Sequence, residues 1–201
     1  MSRWRATPRQ LAILLSGLWL FGIGEALLIE SRLGNSPWTV FAEGAGEQTG
    51  IGVGAATVAT SFLILAAWIP LRQQPGLGTI ANALVIGISI GVTIEVVPDL
   101  DSLGPRVGQV VVGIGIVAIG SGLYLMTRLG AGPRDGLMLG LHRRTGLSVR
   151  LIRTGIEGSA TAAGALLGGK VGLGTLAFAV LIGPGVQAAL GVLSSTPAHE
   201  L

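Results

Sequence analysis

The chain has 201 residues, half of them apolar and 11% charged, with 34 glycines, no cysteine and a net charge of +3, and its mean hydropathy is +0.72. A soluble domain carries roughly 25% charged residues, so water is not the main solvent here; disulfides, thiolate catalysis and Cys-ligated metal are excluded, and the modest basic excess is that of arginines flanking membrane spans, with no nucleic acid implied. A spanning helix needs about 20 mostly apolar residues, so the length accommodates six spans and leaves no room for a soluble domain.

Apolar runs fall near 11–31, 51–71, 77–97, 107–127, 148–168 and 172–193. The first follows Arg3, Arg5 and Arg9 in the manner of a signal peptide, but Glu25 interrupts it and it runs into Glu30-Ser31-Arg32 rather than a small-residue cleavage site, so it reads as a retained helix. Glu25 lies about 10 Å deep at helical rise, where a charge is costly. It either accepts from Trp19 or a Ser/Thr hydroxyl, or lines a polar pathway. Ser36-Pro37 then opens, and Thr49-Gly50 closes, a helix of about three turns, below spanning length. Two readings of it stand: an amphipathic helix in the lipid boundary, or a re-entrant half-helix offering its positive N-terminal end to an anion or polar substrate. The third run carries Asn82, an amide expected to bridge helices, and Gly87-x-x-x-Gly91, a spacing that lets backbones approach closely. Asp99 and Asp101 follow in an exposed loop.

The fourth run leads into a second short helix over 132–144, opened by Pro133 and closed by Thr145-Gly146, whose Arg134-Asp135 is a solvated cytoplasmic pair or part of a gate. On the fifth run Arg150, Arg153 and Glu157 share a stripe, with Arg153 and Glu157 spaced as a helical ion pair requires. Gly164-x-x-x-Gly168 repeats the packing spacing, and Gln187 in the sixth run is a second bridging amide.

Displaced by 96 residues, the sequence superposes on itself without a gap: Arg32-Leu33-Gly34 on Arg128-Leu129-Gly130, Pro37 on Pro133, and Gly76-Leu77-Gly78-Thr79 on Gly172-Leu173-Gly174-Thr175, with Gly17 and Gly24 on Gly113 and Gly120. Both Gly-Leu-Gly-Thr runs precede a span and follow no strand, so they are not phosphate loops. Three spans per copy force the second copy to enter from the opposite face. The expectation is one all-α membrane domain over 1–201: a polytopic transmembrane bundle of about six spanning helices as two inverted three-helix repeats, near 11–97 and 107–193, each with a short interfacial or re-entrant helix. With the N-terminus inside, Arg3, Arg5, Arg9, Arg72, Arg128, Arg134, Arg143, Arg144, Arg150 and Arg153 fall on the cytoplasmic side, against Arg32, Arg106 and Lys170 outside, which places both short termini in the cytoplasm.

No catalytic constellation is present. His142 sits beside Arg143 and Arg144 and His199 lies in the tail, neither with metal-ligand or nucleophile company. No enzyme activity, cofactor or metal is expected.

The run Arg128-Leu129-Gly130-Ala131-Gly132-Pro133-Arg134-Asp135-Gly136-Leu137-Met138, then Arg144-Thr145-Gly146, Gly169-Lys170-Val171-Gly172-Leu173-Gly174-Thr175 and Ile182-Gly183-Pro184, resembles the bacterial YczE/YyaS/YitT membrane protein family. Leu33-Gly34-x-x-Pro37-Trp38 and Gly76-Leu77-Gly78-Thr79 look like its first-half motifs, so the likeness covers about 11–193. The resemblance implies a bacterial inner-membrane protein and carries no activity or functional residues with it.

Inverted symmetry and buried charge together point to a small-solute transporter or channel-like protein. Its midplane site would take polar contacts from Glu25, Asn82, Arg134, Asp135, Arg153 and Glu157, for a small polar or anionic solute. The alternative is a non-transporting scaffold or regulator whose basic 142–153 surface holds a partner protein or anionic lipid. A water-accessible cavity beside Glu25 favours the first, a solidly packed interior the second.

Overall fold

The computed structural model describes residues 3–195, so His199 lies outside the described residues. Among them the regular structure is helical throughout. α1 (Pro8–Ser31) begins with Pro8 at its first position and a capping box in which Thr7 accepts from the Gln10 backbone and Gln10 answers at the Thr7 N–H. α2 (Pro37–Thr49), α3 (Val53–Leu71) and α4 (Leu77–Ile94) complete the first half, and α5 (Leu103–Met126), α6 (Pro133–Thr145), α7 (Val149–Leu166) and α8 (Leu173–Ser195) form the second. Pro133, Val149 and Leu173 each begin a helix 96 residues after Pro37, Val53 and Leu77 do, so the displacement read in the sequence holds element by element.

Five helices, α1, α3, α4, α5 and α8, are long and apolar enough to cross a membrane. α7 carries Arg150, Arg153 and Glu157 and is less apolar, but its 18 residues occupy in the second half the place of α3 in the first. α3 packs on α6, and α7 packs on α2. The short helices are not laid alone on the surface. Pro37, Thr39, Val40, Ala42 and Glu43 of α2 are buried in protein, as are Pro133, Gly136 and Gly140 of α6.

α1 and α5 make the largest helix contact of the bundle, and glycine makes it possible. A Cβ on Gly17 would lie 2.9 Å from the Gly120 carbonyl and one on Gly120 2.5 Å from that of Gly17; Gly24 and Gly113 are matched in the same way at 2.6 and 2.8 Å. Because position 17 meets 120 and 24 meets 113, the two helices run antiparallel, and each contact maps onto the other when the halves are exchanged. In lipid, where burial of apolar surface does not drive helices together, such backbone approach is the main source of attraction.

The repeat motifs obey the same exchange. The Gly78 N–H donates to the Leu129 carbonyl at 3.0 Å and the Gly174 N–H to that of Leu33 at 2.7 Å. Thr79 and Thr175 cap their own helices by accepting from Gly76 N and Gly172 N. Each Gly-Leu-Gly-Thr run is thus docked on the Arg-Leu-Gly turn of the other half. That turn needs left-handed backbone, with φ 55° at both Arg32 and Arg128 and 108° and 133° at Gly34 and Gly130. Arg32, Arg128 and the motif glycines therefore build the interface between halves.

Two features depart from expectation. Gly87 and Gly91 do pack closely, on Gly54 of α3, but Gly168 lies beyond the end of α7 at φ 107°, so Gly164-x-x-x-Gly168 is not a helix-packing face. Gly164 alone serves, seating the backbone of Val40 and Phe41. Symmetry is also broken at one seam. α3 and α4 pack tightly, whereas α7 and α8 scarcely touch: Gly54 is replaced by Arg150 and Gly91 by Gln187, and Gly183, the counterpart of Gly87, faces open space.

Candidate functional site

The N-terminal ends of α2 and α6 converge on a cavity of about 370 Å³ bordered by Ser36, Pro37 and Trp38 on one side and Gly132, Pro133, Arg134 and Asp135 on the other. Every lining residue of the first half has its counterpart at the cavity: Phe21 pairs with Val117, Trp38 with Arg134, Thr57 with Arg153, Ser61 with Glu157, Asn82 with Phe178 and Ile86 with Ile182. The second half adds further wall without counterparts, Tyr124, Asp135 and Gln187 among it, so the cavity is skewed toward that half. α6 is held there by Trp68 of α3, which is buried and donates through Nε1 to the Pro133 carbonyl at 2.9 Å.

Five of the six polar residues singled out in the sequence, Asn82, Arg134, Asp135, Arg153 and Glu157, line this cavity. Glu25 stands behind it. Fully buried, it accepts from the Ser36 hydroxyl at 2.9 Å and the Thr39 hydroxyl at 2.7 Å through one oxygen, while its other oxygen has no hydrogen-bond partner. Of the acceptance options the hydroxyls hold: Ser36 and Thr39 are the donors to Glu25, and Trp19 gives it no hydrogen bond. Arg134 and Asp135 are not a solvated surface pair. Asp135 accepts from the Tyr124 hydroxyl at 2.9 Å, and the Arg134 guanidinium lies 5.5 Å over the Trp38 ring, in electrostatic reach of Glu25 and Glu157. Arg153 and Glu157 form the expected ion pair at 2.9 Å, half-exposed on the cavity side of α7. Asn82 and Gln187 border the cavity and make no helix-bridging hydrogen bond among the described residues. No cluster of His, Cys, Asp or Glu suited to a metal is found among the described residues.

Other charges tie the ends of the bundle. Arg32 pairs with Asp99, and Lys170 pairs at 3.3 Å with Glu43, which is buried and also accepts from Asn35 and the Lys170 N–H. At the opposite end Arg143 donates to Gln73, Arg144 to the Pro70 carbonyl and Arg3 to that of Gln74. Sequence reasoning missed Trp38, Tyr124, Ser36, Thr39 and the Glu43 cluster. Glu25 called for a donor, and the only local signal was the hydroxyl pair flanking Pro37-Trp38. Tyr124, the single tyrosine of the chain, carried the other available hint, a phenol in a run whose other large polar side chain, Gln109, stands at the far end.

Long apolar helices packed through glycine, with a cavity between two halves of the chain that holds charged side chains, define a multi-pass integral membrane protein. The chain belongs to a family of unknown function, DUF6198, whose model matches residues 8–190. It is 40% identical over 196 residues to an uncharacterized protein of Haemophilus influenzae, covering 98% of this chain and 90% of that one. It is 32% identical over 170 residues to the uncharacterized membrane protein YczE of Bacillus subtilis, covering 84% and 79%, and 29% identical over 164 residues to YyaS of the same organism, covering 80% and 82%. The resemblance to YczE and YyaS read from the motifs is thereby borne out. No solved structure matches the chain.

Proposed function

We propose that the protein is a non-enzymatic carrier or channel for a small polar solute, built from two inverted repeats in a bacterial inner membrane with both termini cytoplasmic. The observation that carries this reading is the cavity: it holds charged and polar side chains from both halves where two half-helix N-termini meet. Inverted-repeat transporters place their substrate sites at such a junction, with broken or short helices pointing at the substrate. The antiparallel α1 and α5 support inversion, and burial of α2 and α6 supports re-entry from opposite faces over lying in the lipid boundary. The scaffold alternative is less well supported, because Arg143 and Arg144 of its basic surface are turned onto the end of α3.

The test is flux in proteoliposomes across a broad solute screen, comparing wild type with Glu25→Gln and Glu157→Gln. At least one solute should move at a rate that both variants reduce. Wild-type rates from both variants for every solute that moves, or no flux of any solute, would overturn the proposal.

A further inference from the structure

Resting on the carrier reading, we propose that Arg134 anchors the anionic group of the solute and that the solute is a small organic monocarboxylate with a compact apolar body. The Arg134 guanidinium borders the cavity, is partly buried and makes no hydrogen bond or ion pair with any described residue; it lies 5.5 Å over the ring of Trp38. A guanidinium offers five N–H donors, and leaving them unanswered away from bulk water is unfavourable. The other charges at the cavity are engaged: Arg153 with Glu157, and Asp135 with Tyr124.

A second feature points at the same spot. Like α3 and α5, neither α2 nor α6 carries a side-chain cap, and theirs are the uncapped first turns that border the cavity. Ser36 stands at the cap position of α2 but turns its hydroxyl to Glu25, and α6 has Gly132 there. Both first turns therefore keep free backbone N–H groups, each with its dipole favouring negative charge. One unpaired cation and two such ends suit a single negative charge, and the planar fork of arginine matches a carboxylate. Phe21, Ile86, Val117, Phe178 and Ile182 supply apolar wall for the body.

The experiment is equilibrium binding to the full-length protein in detergent micelles, with a series of monocarboxylates from acetate to benzoate, with benzamide and benzylamine as neutral and cationic isosteres, and with inorganic phosphate. At least one carboxylate should bind, at least about ten-fold more tightly than its amide. Arg134→Gln should remove that preference and Arg134→Lys should keep part of it, which separates loss of the site from loss of the fold. Equal binding of the isosteres, binding of phosphate alone, binding of no carboxylate at millimolar concentration, or a preference untouched in Arg134→Gln would overturn the assignment. Carboxylate binding without flux would instead overturn the carrier reading and leave this site standing. Flux of a neutral or cationic solute indifferent to Arg134→Gln would do the reverse.

Discussion

Trp68 and Gly136 form a contact tight enough to predict in energy. The indole is 4% exposed, its Nε1 is fixed on the Pro133 carbonyl at 2.9 Å, and a Cβ at Gly136 would lie 1.9 Å from its Cζ2. Gly136→Ala therefore drives the ring off its bond. Overpacking costs about 1–3 kcal/mol and the unpaired donor and acceptor about 1–3, against about 1 gained from helix propensity, for a net loss of about 1–5 kcal/mol. Trp68→Leu alone should cost about 3–5 kcal/mol, since it empties space and orphans the carbonyl. In the double variant the new methyl enters the vacated space, so Gly136→Ala becomes neutral or stabilising there, a coupling about as large as the Gly136→Ala penalty itself. Equilibrium unfolding in mixed detergent micelles, followed by far-ultraviolet circular dichroism because a tryptophan is removed, measures all four corners of the cycle. Additive penalties would refute the packing described here, and with it the means by which α3 holds the α6 end that presents Arg134.

The reciprocal α1–α5 contact predicts that Gly17→Ala and Gly120→Ala each lower stability by about 1–3 kcal/mol while the double variant costs less than their sum, because the first Cβ already parts the helices; thermal unfolding in micelles checks it. Glu43→Ala should cost about 2–3 kcal/mol, leaving Asn35 and the Lys170 N–H without their acceptor, whereas Lys170→Ala should cost under about 1 kcal/mol because its ammonium is half-exposed; the same melts compare them. Single cysteines at positions 101 and 143 of the cysteine-free chain should react with an impermeant maleimide from opposite faces of sealed vesicles. Labelling from one face would remove the inverted topology.

Periodicity and displacement made the helices legible, since Pro37/Pro133 and Thr49/Thr145 mark ends by local backbone rules that hold in any surroundings. The charged positions were legible as well, because an ionisable group in an apolar run is costly wherever it points. What Glu25 or Arg134 faces was not. The partners of Glu25 stand 11 and 14 residues away on another helix, and Tyr124 reaches Asp135 across a turn that no periodicity describes. Gly168 misled for a related reason: its spacing from Gly164 presumes a helix that ends at Leu166.

The pattern of what the two halves share explains why a duplicated frame can hold an unsymmetrical site. Paired positions that keep their residue are those where backbone geometry allows little else: Gly17/Gly113, Gly34/Gly130, Pro37/Pro133 and Gly78/Gly174. Paired positions at the cavity have diverged in charge: Glu25 against Ser121, Trp38 against Arg134, Thr39 against Asp135, Thr57 against Arg153 and Ser61 against Glu157. Nearly all of that charge lies in the second half, on α6 and α7, and the second half is also where the α7–α8 seam stands open. A charged wall resists close packing against an apolar helix, because desolvation opposes the contact, so the polarity of the site and the opening of the seam have one cause. Neutralising that wall and restoring the glycines of the closed seam, by Arg153→Leu and Glu157→Leu together with Arg150→Gly and Gln187→Gly, should let α7 close on α8 as α3 does on α4. Cysteines introduced at 154 and 183 in that background would then cross-link readily, and in the wild-type background poorly. Equal cross-linking in both would separate the seam from the charge.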